Sequence, residues 1–191
     1  MNKTKKILAA LAVLGLIIGI SWGYYVLFAG NFGTVQKGVL YRSAQPDADD
    51  IEKYAQKYGI KSILNLQGKS DNDDWYKEEI SASKKFNLNH YDVAISALHE
   101  PSKEQMLQII QILKEAPKPI LVHCLGGADR TGLVTSIYEY AIAGQPAKEA
   151  QQNLSVFHGH LPYFGNKTIA MDRAFDAFVA SHPAESSKTE R

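Results

Sequence analysis

The longest apolar run comes first. Residues 7–30, from Ile7 to Gly30, hold no charged side chain. They show no polar face either, so a helix packed on a core fits them poorly. About 20 apolar residues are enough to cross a bilayer. Lys3, Lys5 and Lys6 precede the run, and no lysine follows until Lys37. That asymmetry keeps the N-terminus in the cytoplasm and sends the rest across. Trp22, Tyr24 and Tyr25 then fall at the far interface. Ser21-Trp22-Gly23 is a small-x-small sequence at which a signal peptide could be cut. The apolar stretch continues through Tyr24-Tyr25-Val26-Leu27-Phe28, which favours an uncleaved anchor. Both readings export the remainder. Residues 1–30 are expected to be an anchor or signal segment, and residues 31–191 one domain.

Beyond Asn31–Gly38, read as a linker, short apolar runs alternate with helical periodicity. Val39–Ser43 predicts a first strand. Asp47 can cap a helix in which Ile51, Tyr54, Ala55 and Tyr58 share one face, closed by Gly59. Ser62–Leu66 predicts a second strand, and Asp71, Asp73 and Asp74 open a helix to about Phe86. His90–Ile95 predicts a third strand. Ser102 to Gln105 is a capping box, followed by a buried stripe of Met106, Ile109, Ile110 and Leu113. Ile120-Leu121-Val122 is a buried strand opened by Pro119. Leu133, Val134, Ile137, Tyr138 and Ala141 form a helix face that Gly144 ends. Helices over about 147–154 and 168–181 finish the pattern, and His182–Arg191 is a polar tail expected to fray. Strands alternating with helices imply an α/β fold with a central, mainly parallel sheet of four to five strands flanked by helices.

Composition adds limits. At 191 residues the chain supports one domain plus an appendage. A net charge of +1 gives nucleic-acid binding no support. The single cysteine, Cys124, excludes an internal disulfide and a cysteine metal site. Gly68-Lys69-Ser70 mimics the tail of a nucleotide-binding loop, but the earlier glycine would fall at Ile63 inside a strand, so an ATP site is rejected. The aspartates at 71, 73 and 74 suit a helix dipole better than a divalent metal. His158 and His160 are weak metal candidates by spacing alone.

Candidate chemistry lies at residues 119–132. Cys124 ends a buried strand, a glycine-containing loop follows, and a helix begins at Arg130. Ligands of open α/β sheets bind at that end of the strands. Backbone N–H groups of Leu125, Gly126, Gly127, Ala128, Asp129 and Arg130 can form a nest for an anion, beside a helix N-terminus. Gly126 and Gly127 let the loop take positive φ. The Arg130 guanidinium can grip two phosphoryl oxygens as a fork. The same field favours the thiolate form of a cysteine.

His123-Cys124-Leu-Gly-Gly-Ala-Asp-Arg130-Thr131-Gly132 resembles the cysteine-dependent phosphatase signature, H-C-x5-R-[S/T]. The resemblance extends from about Val39 to Ser181, and is strongest to bacterial tyrosine and dual-specificity phosphatases. Tyr41-Arg42-Ser43-Ala44-Gln45-Pro46 is similar to a segment near their start. Rhodanese-type loops place four residues between cysteine and arginine. Low-molecular-weight phosphatases carry the loop near the N-terminus. The resemblance implies a phosphatase acting on phosphotyrosine, phosphoserine or phosphothreonine proteins through a phosphocysteine. Phosphoinositides or other phospholipids, or phosphate binding without catalysis, are the alternatives. It implies Cys124 as nucleophile, Arg130 and the loop as phosphate ligands, Thr131 as a hydrogen-bond donor to the thiolate, and His123 as a loop-orienting residue bonded to backbone. No cofactor or metal is expected, because donors already meet the transition-state charge.

The family's loop aspartate, about thirty residues before the cysteine, is missing from Ile95-Ser96-Ala97-Leu98-His99-Glu100-Pro101. Myotubularin-type phosphatases also carry an aspartate immediately before the loop arginine, and Asp129 is therefore the favoured general acid. Glu100, His99 and Asp92 follow. Tyr163-Phe164-Gly165-Asn166 and His158-Gly159-His160 are placed at the mouth of the site. The expected location is a single-pass membrane protein with its catalytic domain on the periplasmic or extracellular side; cleavage would give a secreted form.

Overall fold

The computed structural model describes residues 2–182. The tail expected to fray lies, beyond His182, outside the described residues. Helix α1 (Lys3–Leu27) buries none of its residues. By length and composition it can serve as a membrane span or a signal sequence.

The domain that follows runs β1 (Gly33–Gln36), β2 (Leu40–Ser43), α2 (Ala48–Tyr58), β3 (Ser62–Asn65), α3 (Asp74–Lys85), β4 (Asn89–Asp92), α4 (Lys103–Glu115), β5 (Ile120–His123), α5 (Asp129–Ala141), α6 (Ala147–Ala150) and α7 (Ile169–Ser181). The five strands form one sheet in the order β1-β2-β5-β3-β4. β2, β5, β3 and β4 are parallel, and β1 runs antiparallel to β2. The α/β reading, with a mainly parallel sheet and an apolar helix before it, therefore holds.

Local signals set the helix ends. Asp47 accepts from the Asp50 N–H, and Gly59 closes α2 in the left-handed conformation at φ 67°. Ser102 and Gln105 form the reciprocal capping box of α4. The sheet is buried on both faces, as a parallel sheet must be. Ile120 and Val122 pack with Ile109, Leu113, Val134 and Tyr138 on one side. Leu121 packs with Tyr41, Ile51, Tyr54 and Ile63 on the other. Leu133 and Ile137 of α5 pack with Met171, Phe175 and Phe178 of α7.

Three elements differ from expectation. The linker over 31–38 contains β1, a four-residue edge strand too short for a periodic signal. The third strand stops at Asp92, yet Val93 and Ile95 stay buried and their N–H groups bond to the carbonyls of Asn65 and Leu66. The helix expected over 147–154 is α6 followed by a 3-10 turn at Gln151–Asn153.

Candidate active site

The register levels the sheet under the site. Ser43 and Asn65 both pair with His123, so three parallel strands end in one row. Cys124 is the next residue, only 2% exposed. The loop turns back over the row, and the Gln45 N–H bonds to the Leu125 carbonyl at 3.2 Å. Among the described residues, the N–H groups of Leu125, Gly126, Gly127 and Ala128 donate to no protein acceptor. Unpaired inner donors are what an anion nest requires.

Only one of the two loop glycines is conformationally demanded. Gly127 has φ +66°, and a Cβ there would lie 2.5 Å from the Ala44 nitrogen and 2.6 Å from the Ser43 oxygen. A Cβ at Gly126 would meet nothing within 4 Å, and its φ is not positive. The expectation of positive φ at both positions is thereby corrected.

A residue given no role from sequence holds the loop from below. Arg42 is 1% exposed. One guanidinium nitrogen donates to the Gly127 carbonyl at 2.7 Å. The other donates to the Asn153 carbonyl at 3.0 Å and its Oδ1 at 3.1 Å. Burial pushes the guanidinium down to about 10, and the Cys124 sulfur is the largest opposing influence. Arg42 therefore stays charged at neutral pH. An arginine inside the apolar strand Val39–Ser43 was the available signal, since a charge in a buried strand needs a partner.

Arg130 lies in the first turn of α5 and donates to the Leu66 carbonyl at 3.4 Å. His123 is fully buried, and its Nε2 shares a hydrogen bond with Glu79 Oε1 at 3.1 Å. Its partner is thus a carboxylate on α3 rather than loop backbone. Glu79 also meets His90 Nε2 at 2.5 Å. Burial raises the Glu79 carboxyl, but the hydrogen bonds from His123 and His90 outweigh it and hold the group down at about 2. The Thr131 hydroxyl is buried without a hydrogen-bond partner, so its expected bond to sulfur is not formed here.

The candidate acids are separated by their partners. Asp92 accepts from the Tyr76 hydroxyl at 2.6 Å and from Asn65 Nδ2 at 2.9 Å, which ties it into the end of the sheet. Glu100 pairs with Arg173 on α7 at 2.8 Å. His99 meets Ser96 Oγ at 3.2 Å. Asp129 alone belongs to the loop, and its Oδ1 meets His160 Nδ1 at 2.6 Å. The other nitrogen of His160 meets Asp172 Oδ2 at 2.8 Å. Burial lowers His160, yet its hydrogen bonds to Asp129 and Asp172 raise it overall. Both ring nitrogens of His160 are taken up by carboxyl groups, which leaves neither free for a metal. Burial pushes His158 down to about 4, aided by the charge of Arg42, so it is neutral at pH 7. Among the described residues, no group of three or more histidine, cysteine, aspartate or glutamate side chains could hold a metal ion. Asp71 and Asp74 pair with Lys69 and Lys77, and Asp73 accepts from Ser70.

The lip beside the loop is residues 156–160, where His160 meets Asp129 and a Cβ at Gly159 would lie 3.8 Å from the Cβ of Ala128. Asn31, fully buried just after α1, donates from Nδ2 to the Gly126 carbonyl at 2.9 Å and to the His158 carbonyl at 2.8 Å. Tyr163 and Phe164 are exposed at the tip of a turn in which the Asn166 N–H bonds back to the Tyr163 carbonyl.

Known structures share this fold. TpbA of P. aeruginosa is 20% identical, with a TM-score of 0.58 over 80% of this chain and 91% of that one. The core catalytic domain of the PP-IP phosphatase SIW14 from S. cerevisiae is 21% identical, with a TM-score of 0.60 over 80% and 92%. PTPMT1 is 11% identical, with a TM-score of 0.56 over 78% and 97%. These likenesses establish the fold. A family model described as the Swiss Army Knife protein, DSP-PTPase phosphatase domain, matches residues 30–186. With that match over most of its length, the chain belongs to the DSP-PTPase phosphatases, the cysteine-dependent dual-specificity family.

Proposed function

We propose that this phosphatase is membrane-anchored, faces away from the cytoplasm, and hydrolyses phosphate monoesters through a phosphocysteine. The observation that carries the mechanism is the placement of Cys124 under a loop whose inner N–H groups have no protein acceptor, with Arg130 at its far end. The Cys124 thiolate attacks phosphorus. A sulfur–phosphorus bond forms as the bond to the leaving oxygen breaks. Arg130 and the loop amides stabilise the equatorial oxygens. Water then attacks phosphorus, and the thiolate leaves with the electron pair of the sulfur–phosphorus bond. Asp129 gives the leaving oxygen its proton in the first step and takes one from water in the second. His160 fixes the direction of that carboxyl, and Asp172 fixes His160.

The substrates proposed from the family are phosphotyrosine, phosphoserine and phosphothreonine proteins. A structure of a TpbA variant in complex with pTyr supports that class. A second class, phospholipid monoesters, is favoured by the apolar side chains exposed at Leu125 and over residues 156–164 and by the contact of Val156 with α1. The test is turnover of para-nitrophenyl phosphate by the full chain, alongside phosphopeptides and phospholipids. Cys124→Ser should bind phosphate esters without turning them over, because serine does not ionise at neutral pH. Residual turnover above about one per cent would refute the covalent route.

A further inference from the structure

The outer end of α1 and the mouth of the catalytic pocket form one connected surface. The Trp22 indole N–H donates to the Val156 carbonyl at 3.0 Å, with the Phe157 carbonyl at 3.3 Å. Val26 approaches Gly159 so closely that a Cβ there would lie 2.7 Å from Val26 Cγ1 and 3.8 Å from the Cβ of Ala128 in the phosphate loop. Asn31 closes the connection by bonding to both the loop and the lip.

These contacts fix depth. A span of about 20 residues counted from Ile7, the first residue after the lysines, ends near Val26. Trp22 then lies roughly 6 Å inside that end, at 1.5 Å per residue. This is the interfacial level at which tryptophan is enriched. Whatever accepts its N–H sits at the same level, so the turn Val156–His158 does too. The side chains on that turn and in the stretch that follows it, with Leu125 of the loop, suit such a place. Phe157 is 74% exposed, Leu125 64%, Tyr163 61%, Val156 44% and Leu161 43%. Phe164 is fully exposed at φ +56°, a strained conformation for a bulky residue that holds its ring out at the tip of the turn. Five exposed apolar groups within residues 156–164 mark an interaction surface, and aromatic residues among aliphatic ones suit the headgroup boundary.

We propose that Leu125, Val156, Phe157, Leu161, Tyr163 and Phe164 dock on the outer leaflet of the bilayer that α1 spans, and that the pocket takes phosphate monoesters carried on lipids of that leaflet. The inference rests on the anchored-phosphatase reading. The chain places the pocket at the headgroup plane, so a lipid phosphate reaches Cys124 without leaving the membrane. A phosphoprotein would have to approach along the surface.

The full chain is reconstituted in phosphatidylcholine vesicles carrying a minor fraction of phosphatidic acid, a lipid phosphate monoester. Phe164→Trp is compared with the parent for fluorescence quenching by brominated phosphatidylcholine. Additional quenching from bromines near the headgroup is expected; its absence overturns the docking. Phe157→Ser/Phe164→Ser should lose roughly tenfold or more in kcat/KM on vesicle phosphatidic acid. It should keep para-nitrophenyl phosphate turnover within about twofold. Equal losses on both substrates, or no loss on either, overturn the proposal, as does a parent that hydrolyses para-nitrophenyl phosphate but not phosphatidic acid. Self-association through the lip, seen as crosslinked dimers of the parent with no added quenching in Phe164→Trp, overturns it in favour of a second copy. Failure of the parent on both substrates refutes the phosphatase reading instead, and quenching then still decides the docking.

Discussion

Removing the guanidinium of Arg42 should loosen the phosphate loop and lower stability together. Arg42→Met keeps much of the buried stem and deletes the donors to the Gly127 carbonyl, the Asn153 carbonyl and Asn153 Oδ1. A buried acceptor left unpaired costs about 1–3 kcal/mol. Three such acceptors give a gross loss of several kcal/mol. Relief from burying a charge offsets part of it, and a net loss of about 2–4 kcal/mol is expected. For a chain of this size that is roughly 5–15 °C in Tm, at 2–4 °C per kcal/mol. Arg42→Lys is the sharper variant. It keeps the charge, but a single ammonium cannot serve Gly127 and Asn153 as the two arms of a fork do. Thermal unfolding followed by circular dichroism, paired with kcat on para-nitrophenyl phosphate, reads both effects. Arg42→Lys melting within about 2 °C of the parent, with kcat intact, would refute the tether.

Gly127→Ala should abolish phosphate binding, because its Cβ meets backbone at Ala44 and Ser43, whereas Gly126→Ala should leave phosphate affinity nearly unchanged; equal effects measured by titration calorimetry would contradict the loop geometry. Asp129→Asn should lower kcat/KM on alkyl phosphates by about 10²–10⁴ while sparing kcat/KM on para-nitrophenyl phosphate, whose leaving group needs no proton as the phosphocysteine forms. If that dependence follows Glu100→Gln instead, the acid sits on the loop before Pro101. The Glu79 carboxyl, held down at about 2 against an ordinary 4.5, contributes stability that is present above pH 4.5 and lost as pH falls towards 2. Glu79→Gln should flatten that acid limb in urea titrations at stepped pH, and an unchanged limb would remove the His123–Glu79–His90 cluster from the account.

The phosphate loop was legible because its parts are contiguous: an apolar strand, a cysteine, glycines and an arginine at one fixed spacing. Helix ends were legible at Asp47, Gly59 and Ser102, where capping depends on neighbouring residues. What supports the loop was not legible, because it arrives through the fold. Glu79 reaches His123 from α3, and His160 reaches Asp129 from a stretch without regular structure. The motif singles out Asp129, but its partner His160 is held by Asp172 of α7, a helix that packs on α5. β1 escaped because four residues on a sheet edge bury too little to show a period.

The strand order has a consequence for how the molecule comes into being. Among the described residues β5 is the last strand in sequence and the middle strand of the sheet. Until it is made, β1-β2 and β3-β4 are two separate ribbons. Leu40 and Ser62 wait for the same partner, Ile120. A chain made from its N-terminus onward therefore carries two unfinished edges until residues beyond Pro119 are added. Unpaired edges of that kind invite wrong association. The strand that closes them carries Cys124 at its tip. The catalytic loop and the completed sheet thus appear in one late, long-range step, and a nascent chain lacking that step holds no half-formed site able to trap phosphate.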